Sequence, residues 1–409
     1  RALARLAAAL EAAPSRRRGA VAPPRTRLEG ELVAIWEELL GVSPIGIEDS
    51  FFKAGGHSLL AVRLMAQIRG RLGRDLPLAA LFEEPTVAHL ARRLEAGAGP
   101  RWVSLVPLQP QGSGLPLFCV HPIGGEVLCY QPLVQRLGPD QPFYALQAPA
   151  LADAGSASHA SIEQMAALYL SEIRALKPRG PYLLGGLSFG GVVAFEMAQQ
   201  LTRAGEEVPL VLLLDTAVPA GHDDPPPVDP AALIAGLSRE QARQHGHDLA
   251  LTAEELAGLP LDEQLARALS ELRALGVVGD EIDLPLFRHF ITGYGTRRDA
   301  VERYRALPYP GRLAMFRSSE VDGELLAGSP PEWQRNFADP TYGWGPLAGG
   351  GVEVFRVPGY HETMVLEPNV RELARLIHAL LADAAPADAD ADAETTVSLP
   401  EDPIPVALS

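Results

Sequence analysis

Apolar positions along the chain fall into two regimes. Leu28, Leu32, Ile35, Trp36, Leu39 and Leu40 recur at the three- and four-residue spacing of one helix face, and Leu60, Leu64 and Ile68 form a second stripe. Thr26 followed three residues later by Glu29 is a capping-box signature for the first of these helices. Pro85 and Thr86 open a last helix through Leu94, and a short helical turn near Leu78–Phe82 completes a predicted four-helix bundle. From about Trp102 the pattern changes. Leu115–Val120, Phe143–Gln147, Tyr182–Gly186, Leu210–Asp215, Arg312–Arg317 and Val352–Val357 are short apolar runs that read as strands. Helical stretches between several of them predict a parallel sheet covered on both faces. Residues 225–307 break this rhythm with several amphipathic helices and no clear strand. The predicted fold class is α plus α/β, a helical bundle followed by a doubly covered sheet with a helical insertion.

Chain breakers divide these regimes. Residues 1–25, with Pro14, Arg16, Arg17, Arg18, Pro23 and Pro24, read as the tail of an upstream domain and a linker. Residues 26–95 hold the bundle. A linker is expected at 96–101, where Ala96, Gly97, Ala98 and Gly99 are closed by Pro100. The sheet domain then runs over 102–383, and residues 384–409, rich in Ala, Asp and Pro, read as a disordered acidic tail. The chain opens on Arg1 rather than Met, so it is expected to be a piece of something longer. A net charge of -16 over 409 residues argues against nucleic acid or an anionic membrane surface as partner, and serves solubility. Cys119 and Cys129 are the only cysteines, too few for a disulfide framework; a reduced, cytoplasmic protein is expected. No signal peptide or uninterrupted membrane span is visible, and no metal is expected.

The first chemical candidate is Ser58. In Asp49-Ser50-Phe51-Phe52-Lys53-Ala54-Gly55-Gly56-His57-Ser58-Leu59-Leu60, two glycines turn the backbone and set the serine at a helix start. Free N–H groups there favour a phosphate-linked substituent, although serine at such a place is ordinarily a plain N-cap. The segment resembles the attachment site of peptidyl carrier domains in its D-x-F-F and G-G-H-S-L elements, and Leu40-Gly41-Val42 with Ile45-Gly46 fit the same pattern. The resemblance implies a 4′-phosphopantetheine on Ser58 carrying an acyl group as a thioester. It also implies that Asp49, Gly56 and His57 are read by a phosphopantetheinyl transferase. Val62 and Met65 lie off the core stripe and fit either a docking surface or core packing.

The second candidate is Ser188, in Gly186-Leu187-Ser188-Phe189-Gly190. This G-x-S-x-G directly follows a strand and precedes the helical Val192–Leu201, the context of a nucleophile elbow. An unaided serine is a poor nucleophile and needs a base. Of ten histidines, only His361, in Pro358-Gly359-Tyr360-His361-Glu362, lies on the loop after the last strand; His378 falls within a helix. Asp215, closing the run Leu210–Leu214, is a candidate for the acid that orients the imidazole, as are Glu320 and Asp322 after the next strand. Cys119-Val120-His121-Pro122-Ile123-Gly124-Gly125 ends a strand with glycines and is suited to presenting backbone N–H groups, with His121 bracing the loop.

Residues 101–383 resemble the type I thioesterases of peptide and polyketide synthases, members of the α/β-hydrolase superfamily. That resemblance favours Asp215 as the acid and implies an oxyanion hole from the N–H groups of Ile123 and Phe189. It makes 225–307 a lid over an acyl channel, with Leu284, Phe287, Phe290 and Ile291 either lining that channel or packing the lid's own core. The expected activity is product release: an acyl chain passes from the arm on Ser58 to Ser188, then leaves by hydrolysis or cyclisation. Upstream synthetase domains and an acyl or peptidyl thioester are the implied partners. A stand-alone esterase or lipase, a non-catalytic carrier and docking module, and an epimerising or oligomerising release enzyme remain alternatives.

Overall fold

The capping box forms at the first helix. Thr26 Oγ1 accepts the Glu29 N–H at 3.1 Å, and the Glu29 carboxylate accepts the Thr26 N–H at 3.2 Å. Helix α1 (Arg27–Leu40) follows and stops at Gly41, whose φ of 64° is the left-handed conformation that ends helices. The computed structural model describes residues 21–56, 58–74, 76, 78–96, 104–149, 161–223, 225, 228–279, 282–321 and 331–384. Readings that fall on residues 1–20, His57, 97–103, Asp322 and 385–409 lie outside these. The chain divides into two compact units between Pro100 and Arg101.

In the first unit α1 is joined by α2 (Ser58–Leu72), α3 (Leu78–Glu83) and α4 (Val87–Ala96). Leu32, Ile35 and Trp36 of α1 meet Leu64 and Ile68 of α2 and Leu90 of α4, all buried; Leu28, Leu39, Leu40 and Leu60 sit at the margin of this core. Met65 also packs against it, while the Val62 side chain lies outside the described residues. Phe51 meets Trp36 edge-on at 5.0 Å. A Cβ on Gly56 would fall 2.3 Å from the Phe51 ring, so the chain can fold back onto that ring only through glycine.

The second unit is a seven-stranded sheet. Its strands are β1 (Leu105–Gln109), β2 (Leu117–Val120), β3 (Phe143–Leu146), β4 (Leu183–Leu187), β5 (Leu210–Leu214), β6 (Leu313–Ser318) and β7 (Val352–Val357), in the order β1-β3-β2-β4-β5-β6-β7. All neighbours are parallel except β1, which runs antiparallel to β3. β1 is the strand that periodicity misses. It is short, lies at the edge, and carries Pro107 beside a register shift, where a missing N–H is tolerated. β2 to β6 are buried throughout, as expected for strands covered on both faces by helices. Those helices include α5 (Gln131–Leu137), α6 (Ile162–Leu176), α7 (Phe189–Arg203) and, near the C-terminus, α13 (Val370–Ala384).

Between β5 and β6 the insertion folds as α8 (Pro230–Gln244), α9 (Ala253–Leu256), α10 (Leu261–Ala274) and α11 (Leu284–Arg303), and α12 (Pro331–Ala338) follows β6. The insertion has its own core, built from Ile234, Leu265, Leu269 and Leu272. Phe287 and Ile291 belong to that core; Leu284 and Phe290 are half-buried against it, and the Phe290 ring also lies 3.8 Å from where a Cβ on Gly124 would stand. Registers pairing Leu187 with Leu214, Leu214 with Phe316, and Ser318 with Val357 bring the carboxyl ends of β4 to β7 to one edge of the sheet. The loops that leave those ends are therefore neighbours.

Trp36 is fully buried in a small core. Trp36→Ala should cost about 3–5 kcal/mol, enough to open a domain of this size. Hydrogen exchange over residues 27–40 and 58–72 should accelerate sharply while residues 161–223 keep wild-type protection.

Candidate active site

A chain that leaves a strand and enters a helix within one residue must bring backbone against backbone. β4 ends at Leu187, Ser188 takes φ 56° and ψ -117°, and α7 begins at Phe189. Such a conformation is costly for a residue with a side chain and persists only where its surroundings enforce it. A Cβ on Gly186 would lie 2.2 Å from the Gly190 carbonyl carbon, and one on Gly190 would lie 2.2 Å from the Val120 oxygen. The two glycines of G-x-S-x-G are thus steric requirements. Ser188 is held through its backbone: its N–H donates to the Leu214 carbonyl at 2.8 Å, and its carbonyl accepts from Thr216 Oγ1 at 3.1 Å.

Asp215 leaves β5 at the same level, also with positive φ, 46°. Its side chain is nearly inaccessible, and a buried carboxylate must be fully hydrogen-bonded. Four donors meet it. Ser318 supplies its N–H at 2.8 Å and its hydroxyl at 2.9 Å, Tyr342 its hydroxyl at 3.2 Å, and His361 its Nδ1–H at 2.9 Å. Burial works to raise the Asp215 pKa, but the hydrogen bond and charge of His361, with the Ser318 donors, prevail and hold it below the usual range. Burial pushes the Tyr342 phenol up to about 12, with the Asp215 charge adding to it, so this group stays protonated and donates.

His361 sits on the loop after β7 and is half-exposed. Burial works to lower its pKa, yet the hydrogen bond and field of Asp215 outweigh that and raise it. Donation from Nδ1 to a carboxylate leaves Nε2 unprotonated in the neutral ring, the form able to accept a proton. The structure therefore brings Asp215 and His361 into contact and sets Ser188 one residue beyond the end of β4, still bonded through its N–H to the end of β5. Among the described residues the Ser188 hydroxyl makes no hydrogen bond to the His361 ring. Glu320 is exposed, and among the described residues it joins the His361 loop through its backbone N–H, which donates to the Gly359 carbonyl at 3.1 Å. His378 is exposed on α13.

The loop after β2 flanks the elbow. His121 is fully buried; it donates from Nδ1 to the Pro122 carbonyl at 2.6 Å, so Nε2 is the acceptor for the Tyr169 hydroxyl at 2.9 Å. Burial first, and then the Arg297 charge, push its pKa down to about 3, so the ring stays neutral and is a brace. It also stacks on the Phe189 ring at 5.4 Å. Among the described residues neither the Ile123 N–H nor the Phe189 N–H is taken up by a hydrogen bond. Arg297, from α11 of the insertion, donates to the Ile123 carbonyl at 2.6 Å and to the Gly124 carbonyl at 3.1 Å. Arg297, Ser318 and Tyr342 escape sequence reasoning because their contacts join residues 103 to 174 positions apart, and no local spacing encodes that.

In the first unit, Ser58 is the first residue of the 15-residue α2, where unpaired N–H groups and the helix dipole suit a phosphodiester on the serine. Asp49 closes the preceding turn by accepting the Gly46 N–H at 2.8 Å. The position fits a phosphopantetheine group, and Gly56 lies two residues before it, packed on Phe51.

Comparison with known proteins agrees with this division. Residues 30–94 match the family model described as a phosphopantetheine attachment site, and residues 115–381 match the thioesterase domain model. Malpinin synthetase of Mortierella alpina is 36% identical over 345 residues, covering 83% of this chain and 4% of that protein. A dimodular nonribosomal peptide synthase of Bacillus subtilis (strain 168) is 35% identical over 364 residues, covering 88% of this chain and 14% of its own length. The chain thus spans a small fraction of these relatives. The crystal structure of holo-AB3403, a four-domain nonribosomal peptide synthetase bound to AMP and glycine, superposes with a TM-score of 0.61 at 28% identity, over 91% of this chain and 27% of that one. With a domain model matched over residues 115–381, the chain belongs to the thioesterase domain family, and it carries a phosphopantetheine attachment domain ahead of that fold.

Proposed function

We propose that this chain is the releasing end of a nonribosomal peptide assembly line, working in the cytoplasm after upstream synthetase domains. The observation that carries the reading is the hydrogen bond between buried Asp215 and His361, together with a serine held at positive φ between strand and helix. In this reading Ser58 carries phosphopantetheine, attached by a transferase that recognises Asp49, Gly56 and His57. That group, when bound, supplies a thiol that holds an acyl or peptidyl chain as a thioester.

The chain's own residues then act as follows. His361 Nε2 takes the proton of the Ser188 hydroxyl as its oxygen attacks the thioester carbonyl. Asp215 holds the ring in the tautomer that makes this possible and stabilises the imidazolium that forms. The Ile123 and Phe189 N–H groups receive the developing oxyanion, which backbone donors fixed in place stabilise without reorganisation. His361 returns its proton to the departing thiolate, leaving an acyl ester on Ser188. Water, or a hydroxyl or amine of the chain itself, gives its proton to His361 and attacks that ester. His361 returns that proton to the Ser188 oxygen as the ester bond breaks, and the product leaves as an acid, lactone or lactam. Among the described residues no helix is long and apolar enough to cross a membrane.

Ser188→Ala should lower hydrolysis of a small soluble thioester by about 10⁶-fold and abolish labelling by a fluorophosphonate, while acyl groups loaded onto Ser58 stay attached. Retained turnover in that variant would overturn the nucleophile assignment. Ser58→Ala should give no mass increase with a phosphopantetheinyl transferase, yet cleave the soluble thioester at the wild-type rate. Because Asp215 raises the His361 pKa, kcat/KM of the wild type should fall, as pH drops, through an apparent pKa above the usual imidazole value of about 6.5. Asp215→Asn removes that raising influence, so the acid limb should move to lower pH while the plateau drops by about 10⁴-fold. A pH–rate profile of both proteins checks the sign.

A further inference from the structure

The carbonyl groups of Pro122, Ile123, Gly124 and Gly125 each accept a hydrogen bond, and they connect. Arg297 Nη2 donates to the Gly124 carbonyl at 3.1 Å. The nitrogen of that same peptide unit belongs to Gly125, whose N–H donates to the Pro122 carbonyl at 2.9 Å. The nitrogen of the next unit is that of Ile123, whose N–H is unpaired among the described residues. Guanidinium, peptide, peptide and free N–H therefore form one head-to-tail chain. In such a chain each bond polarises the next, and a formal charge at its head makes the terminal N–H a stronger donor. A trans peptide also points its N–H opposite to its C=O, so pinning the Pro122 oxygen aims the Ile123 N–H. The Pro122 oxygen is pinned twice, by Gly125 and by His121 Nδ1 at 2.6 Å.

Arg297 also donates from Nε to the Ile123 carbonyl at 2.6 Å, which fixes the peptide that follows the donor. A Cβ on Gly125 would lie 3.3 Å from Arg297 Nη2, and one on Gly293 within 3.1 Å of both terminal nitrogens, so the fork is closely walled. The residue lies on α11 of the helical insertion, 174 residues along the chain from Ile123. Nothing about the sheet demands an arginine here; the carbonyls could have been left to water.

We propose that Arg297 is a positioning residue through which the insertion aligns and polarises the Ile123 N–H, so that the hole for the oxyanion is complete only when this helix is docked on the loop. The inference rests on the functional reading above, in which that N–H is an oxyanion donor. Arg297 touches no reacting atom; it acts through two peptide groups.

The test uses the full chain, its wild type and the Arg297→Gln and Arg297→Lys variants. Wild-type fluorophosphonate labelling at Ser188 and turnover of a soluble acyl thioester establish the underlying reading; if both are absent, that reading fails and takes this one with it. Given an active wild type, Arg297→Gln should lower kcat by about 10-fold or more, short of the roughly 10²–10³ for outright loss of an oxyanion donor, with KM within about threefold. The phosphoryl oxygen of the labelled enzyme occupies the same hole, so the phosphorus NMR shift of phosphonylated Ser188 should move towards that of a free phosphonate ester. Lysine keeps the charge but serves one carbonyl at a time, and should fall between the two on both measures. Wild-type kcat and phosphorus shift in Arg297→Gln, or a loss confined to KM, would overturn the proposal alone. Should hydrogen exchange show α11 loosened in Arg297→Gln, the lysine variant decides, and wild-type values in it with α11 protected count against the proposal.

Discussion

The site depends on how closely three backbone segments can approach at the end of β4. Ser188 can stand at a strand-to-helix reversal only because Gly186 lies against Gly190, Gly190 against the Val120 carbonyl, and Gly191 against Thr216. A single methyl group at any of these would collide at 2.2 Å, and the first two meet backbone, which cannot rotate away. That approach sets the level at which the Ser188 N–H meets the Leu214 carbonyl, and hence where Asp215 leaves the neighbouring strand. The glycine spacing is therefore a packing rule with a geometric result: it fixes Ser188 and Asp215 relative to one another.

The second constraint is electrostatic. A carboxylate sealed in apolar surroundings costs several kcal/mol unless each lone pair finds a donor, so Asp215 recruits Ser318 from β6 and Tyr342 from the loop before β7 as well as His361. Tyr342 is positioned in turn: Arg317 lies 3.8 Å over its ring and donates to the carbonyls of Phe337 and Asp339. Trp344 donates to the Thr216 carbonyl at 2.8 Å, which ties the same loop to the residue after Asp215. Two elements beyond the β5 end are thus committed to one charge. Because its other three acceptor directions are occupied, the carboxylate has a single direction left for the imidazole.

What could be read from the sequence is what local rules encode. The capping box at Thr26 and Glu29, the α1 stripe, the buried strands and the elbow each depend on residues within a few positions of one another, and each appears where its pattern lies. β1 is lost because Pro107 disguises an edge strand. Leu284, Phe287, Phe290 and Ile291 show a helical apolar face equally suited to a channel or a core, and only the packing of the other insertion helices assigns Phe287 and Ile291 to the core. Asp215 could be nominated but not separated from Glu320 by spacing alone; the separation is a matter of which carboxylate is buried and met by donors. Ser318, Tyr342 and Arg297 carry no pattern at all, since a serine, a tyrosine and an arginine acquire their roles only when distant strands and helices meet.

The insertion extends this argument. Its helices bury apolar faces on one another, while the end of α11 enters the sheet's core through Ala300 and Val301, and polar contacts join it to the sheet elsewhere. At its ends the His222 N–H meets the Glu302 carbonyl at 2.7 Å and Arg305 bonds the Gly221 carbonyl and Asp223, while Tyr304 donates to the buried Glu196 of α7 at 2.8 Å. Those contacts secure the stems; Arg297 reaches the loop beside the serine. A layer that holds itself together and touches the chemistry through a charged side chain can change its inner surface without disturbing the strand ends below it. The positions with least room to change are the glycines of the elbow, the buried carboxylate and the arginine that pins the His121–Gly125 loop.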